Sequence, residues 1–155
     1  MNIHSTPKAL HSEVKHDVFV YGTLKKDYWN HRFLYDGFQQ PALVGTTLTA
    51  HPHWGLWCHD LPDGIPFMYH KPERGSKIQG EHWLVGCSAM GSVRAIEESY
   101  DETTIELEDG IVATCFIMPA LFLPIGSQGL DFPAMNGIIS WPYTGPRRID
   151  DVYAY

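Results

Sequence analysis

A chain of 155 residues, 44% of them apolar, is long enough for one domain with a buried core and too short for two of ordinary size. Eighteen acidic against eleven basic side chains leave a net charge of −7, which argues against a nucleic-acid surface, because that affinity rests on clustered Lys and Arg. No apolar run approaches the roughly 20 residues of a membrane span, and the dispersed cysteines Cys58, Cys87 and Cys115 form no disulfide framework, so a soluble, cytoplasmic protein without membrane contact is expected.

Residues 1–16 are polar, aperiodic and without a signal-type apolar core, and are expected to form a flexible leader before a single domain over 17–155. Val18–Tyr21 is a short strand, apolar throughout and so expected to be buried on both faces. It stops at Gly22-Thr23-Leu24. A helix is predicted over Asn30–Asp36, with Asn30 as N-cap, Phe33 and Leu34 facing inward and Gly37 ending it. Ala42–Ala50 alternates as a second strand. Short strands follow at Gly55–Cys58 and Ile65–His70 around a turn at Leu61–Gly64, then another at Lys77–Val85.

The next helix has Ser88 or Ser92 to cap it and Met90, Val93 and Ile96 at helical spacing. "TTIELEDGIVATCFIM" reads as two alternating strands joined at Asp109-Gly110, a hairpin by its turn chemistry. From Pro119 the chain is irregular and rich in Pro and Gly. Many short strands with two modest helices predict an α+β fold, a small, strongly curved mixed sheet or barrel flanked by short helices.

His51, His53, Cys58 and His59 fall within nine residues, but no second ligand pair at zinc spacing follows, so a polar aromatic loop is the favoured reading and no metal is expected. No G-x-S-x-G occurs, and Cys87 and Cys115 read as core in their apolar surroundings. Gly22 alone makes neither a P-loop nor a dinucleotide fingerprint. A turn from strand to helix still leaves backbone N–H groups that can hold an anion or a carbonyl. Glu97 falls on the apolar face with Met90 and Val93, while Glu98 points nearer to solvent. Burial drives a carboxyl toward a neutral pKa, the tuning a general acid/base needs. The same periodicity fits a helix that ends there and leaves both glutamates solvated.

These residues also carry a resemblance. "VFVYGTLKKDYWNHRFLYDG" is similar to the opening of the γ-glutamylcyclotransferase-like (AIG2-like) family, with its Tyr-Gly-Thr/Ser-Leu turn at Tyr21–Leu24 and its Asn at Asn30. The Asn-His and Leu-x-Asp-Gly that follow are closest to the γ-glutamylamine cyclotransferase branch. "GIPFMYHKPERGSKIQGEHWLV", "AIEESY" and "ELEDGIVATCFIM" continue the likeness to Met118.

The resemblance implies release of 5-oxoproline from a small-molecule γ-glutamyl amide by attack of its own α-amine, without a cofactor. It implies Glu97 as acid/base and Tyr21, Gly22, Thr23 and Leu24 as substrate-binding residues, with Glu98 the rival should the register slip. After their glutamate, family members usually carry Gly or Ser and then Tyr-x-Arg; here Glu98 follows, Tyr100 comes early and the Arg is missing. Another γ-glutamyl substrate, or a non-catalytic ligand-binding or interaction module on the same scaffold, therefore stay open, as does the oligomeric state.

Overall fold

The computed structural model describes residues 13–28, 30–59, 66–119 and 129–141. In chain order the strands are β1 (Lys15–Val20), β2 (Ala42–Leu48), β3 (Trp54–His59), β4 (Pro66–His70), β5 (Lys77–Gly86), β6 (Asp101–Glu106), β7 (Val112–Ile117), β8 (Gly129–Asp131) and β9 (Ile138–Ile139). A 3₁₀ helix lies at His31–Tyr35 and one α-helix, α1, at Cys87–Ile96. The main sheet has the order β2-β5-β1-β7-β6, with β9 added to the start of β5, and a second sheet has the order β4-β3-β8.

β1 sits at the centre because its second half, Val18–Val20, is apolar and buried on both faces. It pairs antiparallel with β5 and parallel with β7 at Val18 and Thr114. Side chains alternate along a strand, so Val18 and Val20 go one way and Phe19 the other. Val18 and Val20 join Trp83, Val85, Met90, Val93 and Leu34 in a core under α1 and the 3₁₀ helix. Phe19 joins Leu56, Met68, Ile78, Leu107 and Cys115 in a second core inside the curl of the sheet.

The curl brings the edge strands β2 and β6 together through one bridge, Thr49 with Leu107, flanked by Ala50 N–H to Glu106 O at 2.9 Å and Glu108 N–H to Leu48 O at 3.0 Å. The expected barrel is thus a curled, open sheet. β2 carries a bulge between Leu43 and Gly45, and a bulged strand bends away from the straight edge a second ladder would need.

Four local expectations need correction. The leader does not extend to residue 16: β1 begins at Lys15, and the Glu13 carboxylate accepts hydrogen bonds from Ser88 N–H at 3.2 Å and Ser88 Oγ at 2.8 Å. That contact replaces Ser88 and Ser92 as the cap of α1, whose N-cap position is Gly86. A carboxylate brought from elsewhere in the chain satisfies the first turn's N–H and complements the helix dipole. The helix expected over Asn30–Asp36 is only a 3₁₀ segment, in which Leu34 alone is buried. Cys87 is exposed, and only Cys115 of that pair is core. Residues 1–12 and the turn predicted at Leu61–Gly64 lie outside the described residues. Among those described, no helix is long and apolar enough to cross a membrane.

Candidate active site

Beyond Val20 the chain leaves the sheet and folds into a tight loop, with Lys25 N–H bonded to Gly22 O at 3.0 Å and Asn30 N–H bonded to Thr23 O at 3.0 Å. The backbone N–H groups of Gly22, Thr23 and Leu24 have no acceptor among the described residues. Gly22 is required here by contact, because a Cβ would stand 2.7 Å from Pro66 Cγ. Asn30 does not cap the following helix. Its Nδ2 donates instead to Thr23 Oγ1 at 2.8 Å.

On the other side, α1 ends at Ile96 and Glu97 takes the C-cap position, its N–H bonded to Val93 O at 3.0 Å. The helix therefore stops where the less specific reading of the periodicity stopped it, yet the two glutamates part company: Glu97 is 9% exposed and Glu98 is exposed. No hydrogen bond or ion pair engages the Glu97 carboxyl among the described residues, and burial raises its pKa to about 7. Tyr100 N–H bonds to Glu97 O at 2.9 Å, closing the turn that brings both side chains to the same place.

That place is a cleft lined by Tyr21, Gly22, Thr23, Leu24 and Glu97, together with Phe19, Val20, Pro66, Tyr100 and Phe116. Tyr21, Gly22, Thr23, Leu24 and Glu97 thus border one cavity, while Glu98, the rival acid/base, lies exposed outside it. Pro66, Tyr100 and Phe116 were not singled out. Tyr100 is held by its ring stacked on Phe67 with centroids 4.6 Å apart and by its hydroxyl donating to Pro66 O at 3.0 Å. The only sequence signal for it was its early position after the glutamate. Among the described residues, no group of three or more His, Cys, Asp or Glu side chains is arranged to hold a metal ion.

The Tyr21 hydroxyl does not face the cleft as a free polar contact. It donates to Phe116 O at 2.7 Å and accepts from Met68 N–H at 3.0 Å, tying β1 to β7 and β4 inside the core. Burial pushes its pKa well above the ordinary value, so it stays a neutral phenol. Tyr21→Phe should lower stability by about 1–3 kcal/mol, the cost of stranding a buried carbonyl and N–H. In chemical denaturation that loss appears as an earlier midpoint, while turnover of the folded variant should stay within about threefold of the parent, since the hydroxyl contributes to packing and not to the cleft. A large loss of turnover at unchanged stability would contradict this assignment.

Comparison with known proteins agrees with this architecture. A profile described as gamma-glutamyl cyclotransferase, AIG2-like, matches residues 18–129. The human gamma-glutamylaminecyclotransferase is 39% identical over 71 residues, so the match spans 44% of this chain and 44% of that protein's length. Among solved structures, an AIG2-like protein from Mus musculus superposes with a TM-score of 0.60 at 22% identity, covering 86% of this chain and 99% of that one. The allophanate hydrolase of Kluyveromyces lactis gives a TM-score of 0.64 at 20% identity over 76% of this chain, but only 19% of that enzyme. At such identities these structures share the fold alone. The profile covers most of the sequence, from β1 to the start of β8, and on that basis the chain belongs to the gamma-glutamyl cyclotransferase, AIG2-like family.

Proposed function

We propose that this protein is a γ-glutamylamine cyclotransferase-type enzyme, which releases 5-oxoproline and a free amine from a γ-glutamyl amide. The observation that carries the reading is the pairing, across one cleft, of a buried carboxyl that has no partner, and a turn whose N–H groups have no acceptor, among the described residues. A purely structural glutamate at that position would be costly, because a buried ionisable group without a partner destabilises the fold.

The substrate's α-amine attacks its own γ-carbonyl carbon, so a C–N bond forms and the carbonyl oxygen becomes an oxyanion. Ring closure within one molecule needs no nucleophile from the protein, and holding the chain folded supplies effective molarities on the order of 10⁵ M or more. Glu97 takes the proton of the attacking amine. When the tetrahedral centre collapses, the original C–N bond breaks and Glu97 returns that proton to the departing nitrogen. A base with a pKa of about 7 is suited to both halves, since it is available in each protonation state near neutral pH. The N–H groups of Gly22, Thr23 and Leu24 supply donors for the oxyanion or the α-carboxylate, each such donor being worth roughly 3 kcal/mol in a water-poor site. Tyr21 shapes the cleft wall, and Gly22 keeps the backbone open to the ligand.

No Lys or Arg is among the described residues that line the cleft. A leaving group with a carboxylate next to its nitrogen, as in a γ-glutamyl amino acid or glutathione, would meet no counter-charge from those residues. In γ-glutamyl-ε-lysine that carboxylate lies beyond a flexible stem, so amides of this type fit better. The test is 5-oxoproline release, followed by mass spectrometry, from γ-glutamyl-ε-lysine, γ-glutamyl-alanine and glutathione. Release is expected first and fastest from γ-glutamyl-ε-lysine. A preference for γ-glutamyl-alanine or glutathione would change the substrate class, and silence on every compound would favour a binding module.

A further inference from the structure

The turn that lines the cleft is held by contacts that the proposed chemistry does not use. His31 Nδ1 lies 2.9 Å from Leu24 O, and its ring packs on Trp83 with centroids 4.8 Å apart. A carbonyl oxygen can only accept, so Nδ1 carries the proton and Nε2 does not need to. On the same strand as Trp83, the Glu81 carboxylate accepts from Trp83 Nε1 at 3.1 Å and from Lys26 N–H at 2.8 Å.

We propose that His31 is a positioning residue that aims the N–H groups of the Thr23–Leu24 turn at the substrate, with Asn30 as its partner. The inference rests on the cyclotransferase reading above and concerns how its donors are held. In a trans peptide the C=O of one residue and the N–H of the next point in opposite directions. Whatever pins a carbonyl therefore also sets the heading of the following N–H. Gly22 O is pinned by Lys25 N–H, which directs Thr23 N–H the other way; Thr23 O is pinned by Asn30 N–H, which does the same for Leu24 N–H. Leu24 O is pinned by His31, and that fixes the heading of Lys25 N–H, the group that pins Gly22 O. His31 thus closes the chain of alternating constraints. Without it the Leu24–Lys25 peptide is held only by the Lys25 N–H to Gly22 O bond, and the Gly22 pin loosens with it.

Asn30 adds a second effect. Because its Nδ2 donates to Thr23 Oγ1, the Thr23 hydroxyl is engaged as an acceptor and keeps its own hydrogen to donate. Thr23 lines the cleft, so that hydrogen is one more donor for the substrate.

The competing account is that His31 serves only as a ring packed on Trp83, and two substitutions separate the two. His31→Phe keeps an aromatic ring and removes the donor. His31→Asn removes the ring and keeps an N–H near the place of Nδ1. If His31 positions the turn, His31→Phe lowers kcat for 5-oxoproline release by between about tenfold and a hundredfold, the cost of a small misplacement of reacting groups. KM should move less, and His31→Asn should recover kcat to within about threefold of the parent. The reverse ranking, or parental kcat in His31→Phe, would overturn the proposal.

A second readout needs neither substrate nor turnover. The ¹⁵N resonances of His31 in the unliganded protein should report the Nδ1–H tautomer, and the Leu24 carbonyl ¹³C resonance should shift in His31→Phe but hold in His31→Asn. An Nε2–H tautomer would overturn the inference even for an active enzyme. If the parent releases no 5-oxoproline from any substrate, the reaction fails, and the positioning role stands or falls on these resonances alone.

Discussion

Glu97→Gln is expected to lower 5-oxoproline release by about 10³-fold, within the range of 10²–10⁴ for loss of a general acid/base, while the protein still unfolds cooperatively. The substitution keeps the size and shape of the side chain and removes its ability to take a proton. It breaks no hydrogen bond in the unliganded protein, because the carboxyl has none among the described residues. The loss should therefore fall on kcat, and KM should change far less. Glu98→Gln is the matched control: that side chain is exposed and outside the residues lining the cleft, so its turnover should equal the parent's. Steady-state kinetics on γ-glutamyl-ε-lysine would settle the matter. Activity in Glu97→Gln within tenfold of the parent would remove Glu97 from the mechanism.

The same carboxyl predicts how stability varies with pH. Its folded-state pKa of about 7 lies above the ordinary 4.5, so between those values the folded protein holds a proton that the unfolded chain has released. Stability then falls as pH rises through this window. The contribution is fully present below about 4.5 and fully lost above about 7, for a total on the order of 3 kcal/mol. Glutamine does not titrate, so Glu97→Gln should gain on the parent by that amount between pH 4.5 and pH 8. Urea unfolding of both proteins at the two pH values measures the difference directly. A gap that stays constant with pH would mean that the Glu97 carboxyl is solvated in the folded protein. In the parent enzyme kcat/KM should rise with pH through about 7, as the free carboxyl becomes a base. Destabilisation on the alkaline side thus accompanies competence for catalysis, a trade expected of a carboxyl kept unpaired for use.

Strands β1 to β7 were legible in the sequence to within a few residues, because each is short, alternating or wholly apolar and bounded by Gly, Pro or Asp; β8 and β9, three and two residues long in the stretch read as irregular after Pro119, were not. The hairpin at Asp109-Gly110 is the clearest: Gly110 has φ of +87°, the left-handed conformation its turn chemistry called for. Helix ends were less legible. Glu13 caps α1 from the far side of β1, and no window of sequence around Ser88 contains that contact. The weak helix after Asn30 collapses to a 3₁₀ turn, because Asn30 is engaged with Thr23 and leaves the first turn without a side-chain cap.

For the candidate site, sequence alone determined which residue types were available: a Gly in a turn between strand and helix, and a glutamate beside an apolar stripe. Local periodicity put Glu97 on the apolar face and Glu98 nearer to solvent, but it fitted equally a helix that ends there and leaves both glutamates solvated. Burial decided it, and burial is a property of what packs against the helix end. Nor could sequence show that the Tyr21 hydroxyl belongs to the core, or that Pro66, Tyr100 and Phe116 wall the cleft, since these residues come from β4, the turn after α1 and β7. The chain alone determined the strands up to β7, the turn and the chemistry at hand. Only the tertiary structure brought Gly22 and Glu97 to one cleft, because the antiparallel pairing of β1 with β5 starts α1 beside Lys15, and the helix then runs back over Val18 and Val20 so that its end meets the end of β1.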